Sequence, residues 1–323
     1  MKRIWMSVAG ALALIASFAA PAAQGDWPNR AIRLVVSFPA GTQMDSVARI
    51  VGDKLASALG QPVVIDNRPG ASGNIASEIV ARSPPDGYTL LVAGLVVTML
   101  PSTQGARAID PLRDLSPVSR LTSAPVLIVA KSGYAIDTLD KLVASARRAP
   151  GKVTYGTGGV GTPPHLAAVM LGQRAGIELT HVPYTGQSQL VGDLVSGEVP
   201  ISFLYLGGVA AYVANGQVKP LAVAANHRVA AMPDVPTVAE SGYPGFELVS
   251  WHGIFAPAGT SSEIVQRLSR ALADIVAMPD VRERFATMAV DPAGNTPAEF
   301  RSEIANELAR WGPLIKAAGI KPD

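Results

Sequence analysis

The sequence predicts an α/β protein: two doubly wound α/β domains around a cleft, joined by crossing strands. Three observations carry this reading. Strand-like apolar runs alternate with amphipathic helical runs along most of the 323 residues, the pattern of a parallel sheet covered by helices. One long apolar run, Leu115 to Lys131, contains Pro117 and Pro125 and suits a strand that passes from one domain to the other. No Gly/Ser-rich or charged tether separates two halves, so the domains are expected to share chain crossings rather than one linker.

Length and composition agree. A chain of this size accommodates about two domains and buries roughly three quarters of its unfolded surface, so it needs no disulfide or metal staple. With 48% hydrophobic and 16% charged residues it reads as globular. The opening stretch, "MKRIWMSVAGALALIASFAAPAA" (residues 1–23), reads as a secretory signal peptide. Lys2 and Arg3 form the basic region, Ile4 to Phe18 the apolar core, and Ala20-Pro21-Ala22 the small-residue cleavage signal. The competing reading is an uncleaved anchor, but the run is short, alanine-rich and ends at a proline. Export places the mature chain in the periplasm.

Removing Lys2 and Arg3 takes the formal charge from +2 to 0. With no basic block and no arginine–aromatic interleaving, nucleic acid is not an expected partner. The absence of cysteine excludes a lipid-modified N-terminal cysteine, thiolate metal sites and cysteine nucleophiles. A monomer is the expected state.

The elements follow in order. "AIRLVVSF" (Ala31 to Phe38) is a strand. It precedes a helix with Met44, Val47, Ala48, Val51 and Leu55 at helical spacing and Gly60 as its stop. "PVVIDN" is a strand, a helix runs through Ile75, Ile79 and Val80, "PPDG" turns the chain, and "YTLLVAG" is a third strand. The middle repeats the scheme with a helix around "LDKLVASARRA", the strand "KVTYG", the helix "PPHLAAVMLGQRAG" and the strand "IELTHVPY". After these come a helix around "SQLVGDLVSG", the strand "ISFLYL", a helix around "VAAYVANG" and the strand "KPLAVAA". "FELVSWHGIFAPAG" supplies one more strand before three helices near Ser262 to Ala277, Asp280 to Met288 and Pro297 to Ala318. "LAVAANHRVAAMPDVPTVAESG" is the expected return crossing. The division predicted is residues 24–123 with 228–323 as one domain and 124–227 as the other.

Catalytic and metal constellations are hard to find. There is no G-x-S-x-G elbow, and Ser72 in "GASGN" lacks the second glycine. His165, His181, His227 and His252 share no metal-binding spacing. His181, at the end of an apolar strand, reads as a hydrogen-bonded structural residue. What stands out is a set of strand-to-helix junctions rich in Gly, Pro and Thr: "SFPAGTQMD", "YGTGGVGTPPH" and "VPYTGQSQ". In the second, Thr162 is a plausible N-cap and Pro163 suits the first helical position. Each junction leaves backbone N–H groups at a helix start, where negative charge is favoured by up to about 2 kcal/mol. The bland alternative is that these glycines only turn the chain.

Gly156, Gly158 and Gly161 also fit G-x-G-x-x-G, but a nicotinamide site wants an acidic residue ending the next strand. That strand has Glu178 at its start and Tyr184 at its end, and an exported chain meets little NAD. No cofactor and no metal is expected.

"WPNRAIRLVVSFPAGTQMDSVARIVGDKLASALGQPVVIDNRPGASGNIASEIVARSPPDGYTLLVAG" resembles the opening of the Bug (TctC-like) family, the extracytoplasmic solute receptors of tripartite tricarboxylate transporters. The resemblance continues through "PGKVTYGTGGVGTPPHLA", "HVPYTG", "MPDVPTVAESGYPGFE", "SWHGIFAPAGT" and "WGPLIKAAGIKP". It implies a two-domain clamshell of the type II periplasmic binding class, with a carboxylate ligand in the cleft. By position, the ligand-binding residues it implies are Phe38, Pro39, Ala40, Gly41, Thr42 and Asp45 on the first loop. Thr157, Gly158, Gly159, Gly161, Thr162 and His165 are their counterparts on the second, with Tyr184 at the third junction.

Two departures stand out. The usual F-P-P-G-G-x-x-D pattern has Thr42 in place of its second glycine, and Leu204 and Tyr205 replace an Asp-Asn pair often found after a strand like "ISFLYL". The second change suggests a ligand with one strongly bound carboxylate and a less polar, even aromatic, body. Asp45 has two readings, ligand contact or helix-capping partner. The leading function is capture of a small carboxylate and its delivery to the membrane subunits of a tripartite tricarboxylate-type transporter. The alternatives are a ligand sensor that reports to a membrane kinase and an exported hydrolase, which would need a nucleophile or metal the sequence does not offer.

Overall fold

The computed structural model describes residues 27–323 apart from 106–107, 185–186, 230, 318 and 320–323. The expected signal peptide, residues 1–23, lies outside the described residues, as do Thr185 and Gly186 of the third junction. The first βαβαβ run is β1 (Ile32–Val36), α1 (Gln43–Leu59), β2 (Val63–Asn67), α2 (Asn74–Ala81) and β3 (Thr89–Gly94). A 3-10 turn at Leu95–Thr98 and a short helix, α3 (Leu100–Gln104), follow; the sequence reading anticipated neither. Then comes β4 (Leu115–Lys131), with the bounds of the expected crossing strand.

After α4 (Leu139–Arg148) the second run is β5 (Thr154–Thr157), α5 (Pro163–Ala175), β6 (Thr180–Pro183), α6 (Gln187–Ser196) and β7 (Ile201–Tyr205). The chain continues through α7 (Ala210–Ala214), β8 (Val218–Val223) and β9 (Val249–Pro257). It ends with α8 (Ser262–Ala277), α9 (Pro279–Thr287), β10 (Asp291–Pro292) and α10 (Pro297–Ala317). Local chemistry explains the boundaries. Val47, Ala48, Val51 and Leu55 of α1 are fully buried against the sheet, and Gly60 closes the helix at φ +69 with its N–H on the Ala56 carbonyl.

The two runs share one topology. The first has strand order β2-β1-β3 and the second β7-β5-β6, all parallel within each run. In both, the chain goes to one side of the first strand and then to the other. That reversal opens a crevice at the strands' C-terminal ends.

The sheet as a whole is mixed rather than parallel. β9 is antiparallel to both β3 and β4, and β4 is antiparallel to β7 and β8. Apolar patterning reports burial and is blind to strand direction. The return crossing also differs from expectation. "LAVAANHRVAAMPDVPTVAESG" forms the end of β8 and then an irregular excursion rather than a strand. The chain is tied to β4 at the two ends of that excursion, where Ala224 N–H donates to Val126 O at 2.8 Å and Val126 N–H to Leu248 O at 3.2 Å. Pro233, Pro236 and Pro244 within it cannot donate to a ladder.

The helix α10 packs across the crossing. Phe300, Ile304 and Trp311 are fully or almost fully buried in a cluster that includes Leu91 and Trp251 on one side and Leu166 and Phe203 on the other. Glu307, half-buried, lies against them. It accepts from Trp251 Nε1 at 3.0 Å and lies 3.1 Å from Thr98 Oγ1, which itself accepts from Trp311 Nε1 at 2.8 Å. Burial pushes the Glu307 carboxyl up to about 8, against the lowering effect of Trp251, Thr98 and Arg310.

The native chain therefore keeps a proton that the unfolded chain releases near 4.5, so this group's contribution to stability should fall as pH rises from 4.5 to about 8. In E307Q, whose amide can serve both partners, that slope should be missing from denaturant-unfolding free energies across the same window. An unchanged slope would show that Glu307 is ionised in the native protein.

Candidate ligand-binding site

Strand register brings the two crevices face to face. Gly94, at the C-terminal end of β3, pairs with His252, and His252 pairs with Thr122 of β4. Tyr205, at the C-terminal end of β7, pairs with Val126 of the same strand. β3 runs parallel to β4 and β7 runs against it, so the two ends point toward each other. Four residues of β4 separate them, roughly 13 Å of extended chain. The halves also touch here: Gln43 Nε2 donates to Met288 O at 2.9 Å, and a Cβ on Gly207 would sit 2.9 Å from that same carbonyl.

The loops after β1 and β5 are built alike. In the first, Thr42 is the N-cap of α1 and its Oγ1 donates to Pro39 O at 2.8 Å. In the second, Thr162 is the N-cap of α5 and its Oγ1 donates to Gly159 O at 2.8 Å. The residue before each cap is a glycine in the left-handed region, Gly41 at φ +81 and Gly161 at φ +75. Three positions into each helix a side chain reaches back to that glycine's N–H, Asp45 Oδ2 at 3.0 Å in one and His165 Nδ1 at 3.1 Å in the other. This is a capping box shifted by one residue.

The supports beneath the loops differ. Asp45 is buried, and Arg49 Nε at 2.9 Å and Asn67 Nδ2 at 3.0 Å join Gly41 on its carboxylate. Burial raises its pKa, but these donors outweigh that and hold it below the usual carboxylate value. Asn67 also donates to Phe38 O at 3.1 Å, fixing the start of the loop. With three protein donors on Asp45, this side chain positions the loop.

Under the second loop His165 stacks on His181, ring centroids 4.1 Å apart, and His181 stacks on Tyr155 at 5.0 Å. Thr157 Oγ1 lies 2.7 Å from His181 Nε2 and accepts Gly159 N–H at 3.3 Å. Burial lowers both histidines, His181 to about 4 with His165 adding repulsion. Because His165 Nδ1 accepts a hydrogen bond, its ring is neutral.

The remaining expected residues divide. Pro39, Ala40, Gly41 and Gly158 are exposed, while Phe38, Thr42, Gly159 and Thr162 are half-buried along the two loops. Tyr184 is buried and its hydroxyl donates to Asp193 Oδ2 at 2.8 Å, with burial pushing its pKa up to about 12. Leu204 is spent on the core, in a cluster with Leu127, Leu190 and Leu194. Tyr205 is half-buried at the crossing and bonded to the Ser250 hydroxyl.

The sequence reading missed several residues. Gly70, Ala71, Ser72 and Gly73, after β2, all have positive φ, and a Cβ on Gly73 would lie 3.2 Å from Ser37 Cβ at the end of β1. The signal was the glycine-rich "RPGASGN" at a strand end. Ser250 was not singled out, and His252 was weighed only as a metal ligand, though both alternate in register with buried Ile254.

A two-lobed α/β chain with matched helix starts opposed across a shared crossing strand is the architecture of a periplasmic solute-binding protein. The chain belongs to the TctC family, the tripartite tricarboxylate transporter family receptors, whose model matches residues 47–320. It is 33% identical to BugT of Bordetella pertussis (strain Tohama I) over 322 residues, covering 98% of each chain. Its fold is similar to that of Rpa4515 from R. palustris, solved with adipate (TM-score 0.75, 33% identity, 92% of this chain and 100% of that one). It is also similar to MatC (Rpa3494) from Rhodopseudomonas palustris with bound malate (TM-score 0.70, 30% identity, 89% and 99%). Solute binding is thus the role of this chain.

Replacing Asp45 by Ala removes the acceptor that Gly41 N–H, Asn67 and Arg49 share. The expected cost is about 2 kcal/mol of stability, read as a lower urea midpoint. A loss below about 0.5 kcal/mol would mean that the loop holds without it. For His165 and His181 the native state refuses protons that the unfolded chain takes up below 6.5. Their contribution to stability should therefore drop as pH falls from 6.5 toward about 4, and the free-energy difference between wild type and H181N should shrink over that window.

Proposed function

We propose that this receptor captures a small carboxylate between the loop after β1 and the loop after β5, and presents the closed form to the membrane subunits of a tripartite tricarboxylate-type transporter. One observation carries the reading: two capped helix starts of the same construction, opposed across four residues of β4. The first turn of α1 has Gln43 and Met44 amides without helical acceptors, as every helix start does. Pro163 and Pro164 remove two such amides from α5, leaving those of Thr162 and His165. An anion held by both gains from each helix dipole only when the halves are together, so binding favours closure. The ligands of the two related structures, adipate and malate, are small carboxylates. The moving units of this proposal are residues 24–123 with 228–323 and residues 124–227, hinged where β4 changes partners.

Calorimetry of the mature chain against aliphatic mono-, di- and tricarboxylates, aromatic acids, amino acids and NAD tests this directly. One carboxylate should bind near micromolar strength, about −8 kcal/mol, and raise the melting temperature. A shift with NAD and none with any carboxylate would return the glycine loop to dinucleotide binding.

A further inference from the structure

Between the two crevices, one face of β9 and β4 carries Ser250, His252 and Thr122, with the Tyr205 phenol reaching Ser250 from the β7 side. This face is the one that α1 overlooks: the Met44 methyl and the His252 ring both crowd the Cα of Gly94, at 3.1 and 3.7 Å from where its Cβ would be. Thr122 is fully buried, and its hydroxyl has one proton to place. Thr122 Oγ1 accepts the His252 backbone N–H at 3.2 Å and lies 2.8 Å from His252 Nδ1. Nδ1 is the only acceptor within reach of that proton among the described residues, so the hydroxyl donates to Nδ1 and the ring's own proton sits on Nε2. Nε2 has no protein partner among the described residues, and His252 keeps partial exposure.

We propose that His252 Nε2–H is a specificity-determining donor on the floor of the cleft, selecting carboxylates whose body carries an uncharged oxygen acceptor, a hydroxyl or a carbonyl. The inference rests on the receptor reading above. A second carboxylate would call for a cation, and of the nearby ones Arg49 is held by Asp45, while Arg120 faces α10 on the far side of the sheet, where its Nη1 pairs with Glu303 at 3.2 Å. Burial keeps the His252 ring neutral, holding its pKa down at about 4, so it donates a directed bond without adding charge. Once a bound ligand covers this donor and cuts it off from water, a ligand that cannot accept from it is penalised.

The test uses matched acids on the full mature chain: succinate with malate, glutarate with 2-oxoglutarate, benzoate with 4-hydroxybenzoate. In any pair that binds, the oxygenated acid should be favoured about tenfold. H252F should erase the preference by weakening that acid alone, and H252Q, which keeps a donor, should retain part of it. Equal weakening of both acids in H252F, or a preference that survives it, would overturn the proposal and leave the receptor reading intact. If no acid binds the wild-type chain, the receptor reading falls and this proposal with it. Nitrogen-15 spectra of the imidazole give a readout that needs no ligand. They should show a neutral ring with its proton on Nε2, and a proton on Nδ1 would overturn the assignment whichever acids bind.

Discussion

The backbone of β4 must satisfy its hydrogen bonds with one set of strands before Pro125 and another set after it, and the rest of the molecule is arranged around that exchange. Buried N–H and C=O groups that find no partner are costly, so a strand this long settles the register of everything it touches. Up to Pro125 its ladder is with β9 and, at Thr122 and Ser123, with β10; β7 takes over from Val126 and β8 from Leu127. Register shifts after Pro117 and after Arg120 bend the strand on its way to the exchange. Because β3 and β7 are levelled against residues only four apart, the C-terminal ends of both parallel runs open toward one space.

Into that space project two loops that solve one problem with different chemistry. A helix start has unpaired N–H groups and a positive dipole end. Here each is preceded by a left-handed glycine and a threonine cap, with a side chain reaching back from the first turn. On α1 that side chain is an ionised Asp45, whose charge is offset by Arg49. On α5 it is a neutral His165 resting on His181. The first loop thus brings a neutralised ion pair to its helix start, and the second leaves the dipole uncompensated. An anion therefore meets its stronger electrostatic attraction at the α5 loop, and its amide donors mainly at α1, where no proline removes them.

Much of this was readable one residue at a time. The spacing of Val47, Val51 and Leu55, the stop at Gly60, and Thr162 followed by Pro163 each depend on neighbours within a turn or two, and local pattern captures such features. The run from Leu115 to Lys131 could be recognised because its apolar character continues through two prolines. Strand direction could not be read, since an apolar residue looks the same in a parallel or an antiparallel ladder. The irregular return after Ala224 was missed for a related reason: its few bonds to β4 depend on residues brought together from far along the chain.

The site shows the same division. Sequence by itself determined where helices begin, which glycines permit left-handed turns, and which threonines could cap, because these are properties of φ, ψ and the nearest amides. Tertiary structure alone decided that Asn67 joins the local donors Gly41 and Arg49 on Asp45, that Leu204 is spent on the core, and that His252 stands beside Thr122 between the two crevices. Those outcomes rest on contacts spanning 22 residues in the Asn67–Asp45 bond and 130 in the His252–Thr122 pair. Spacing within one helix or strand holds no information about contacts over such separations; the register of the shared strand and the packing of the helices over it supply them.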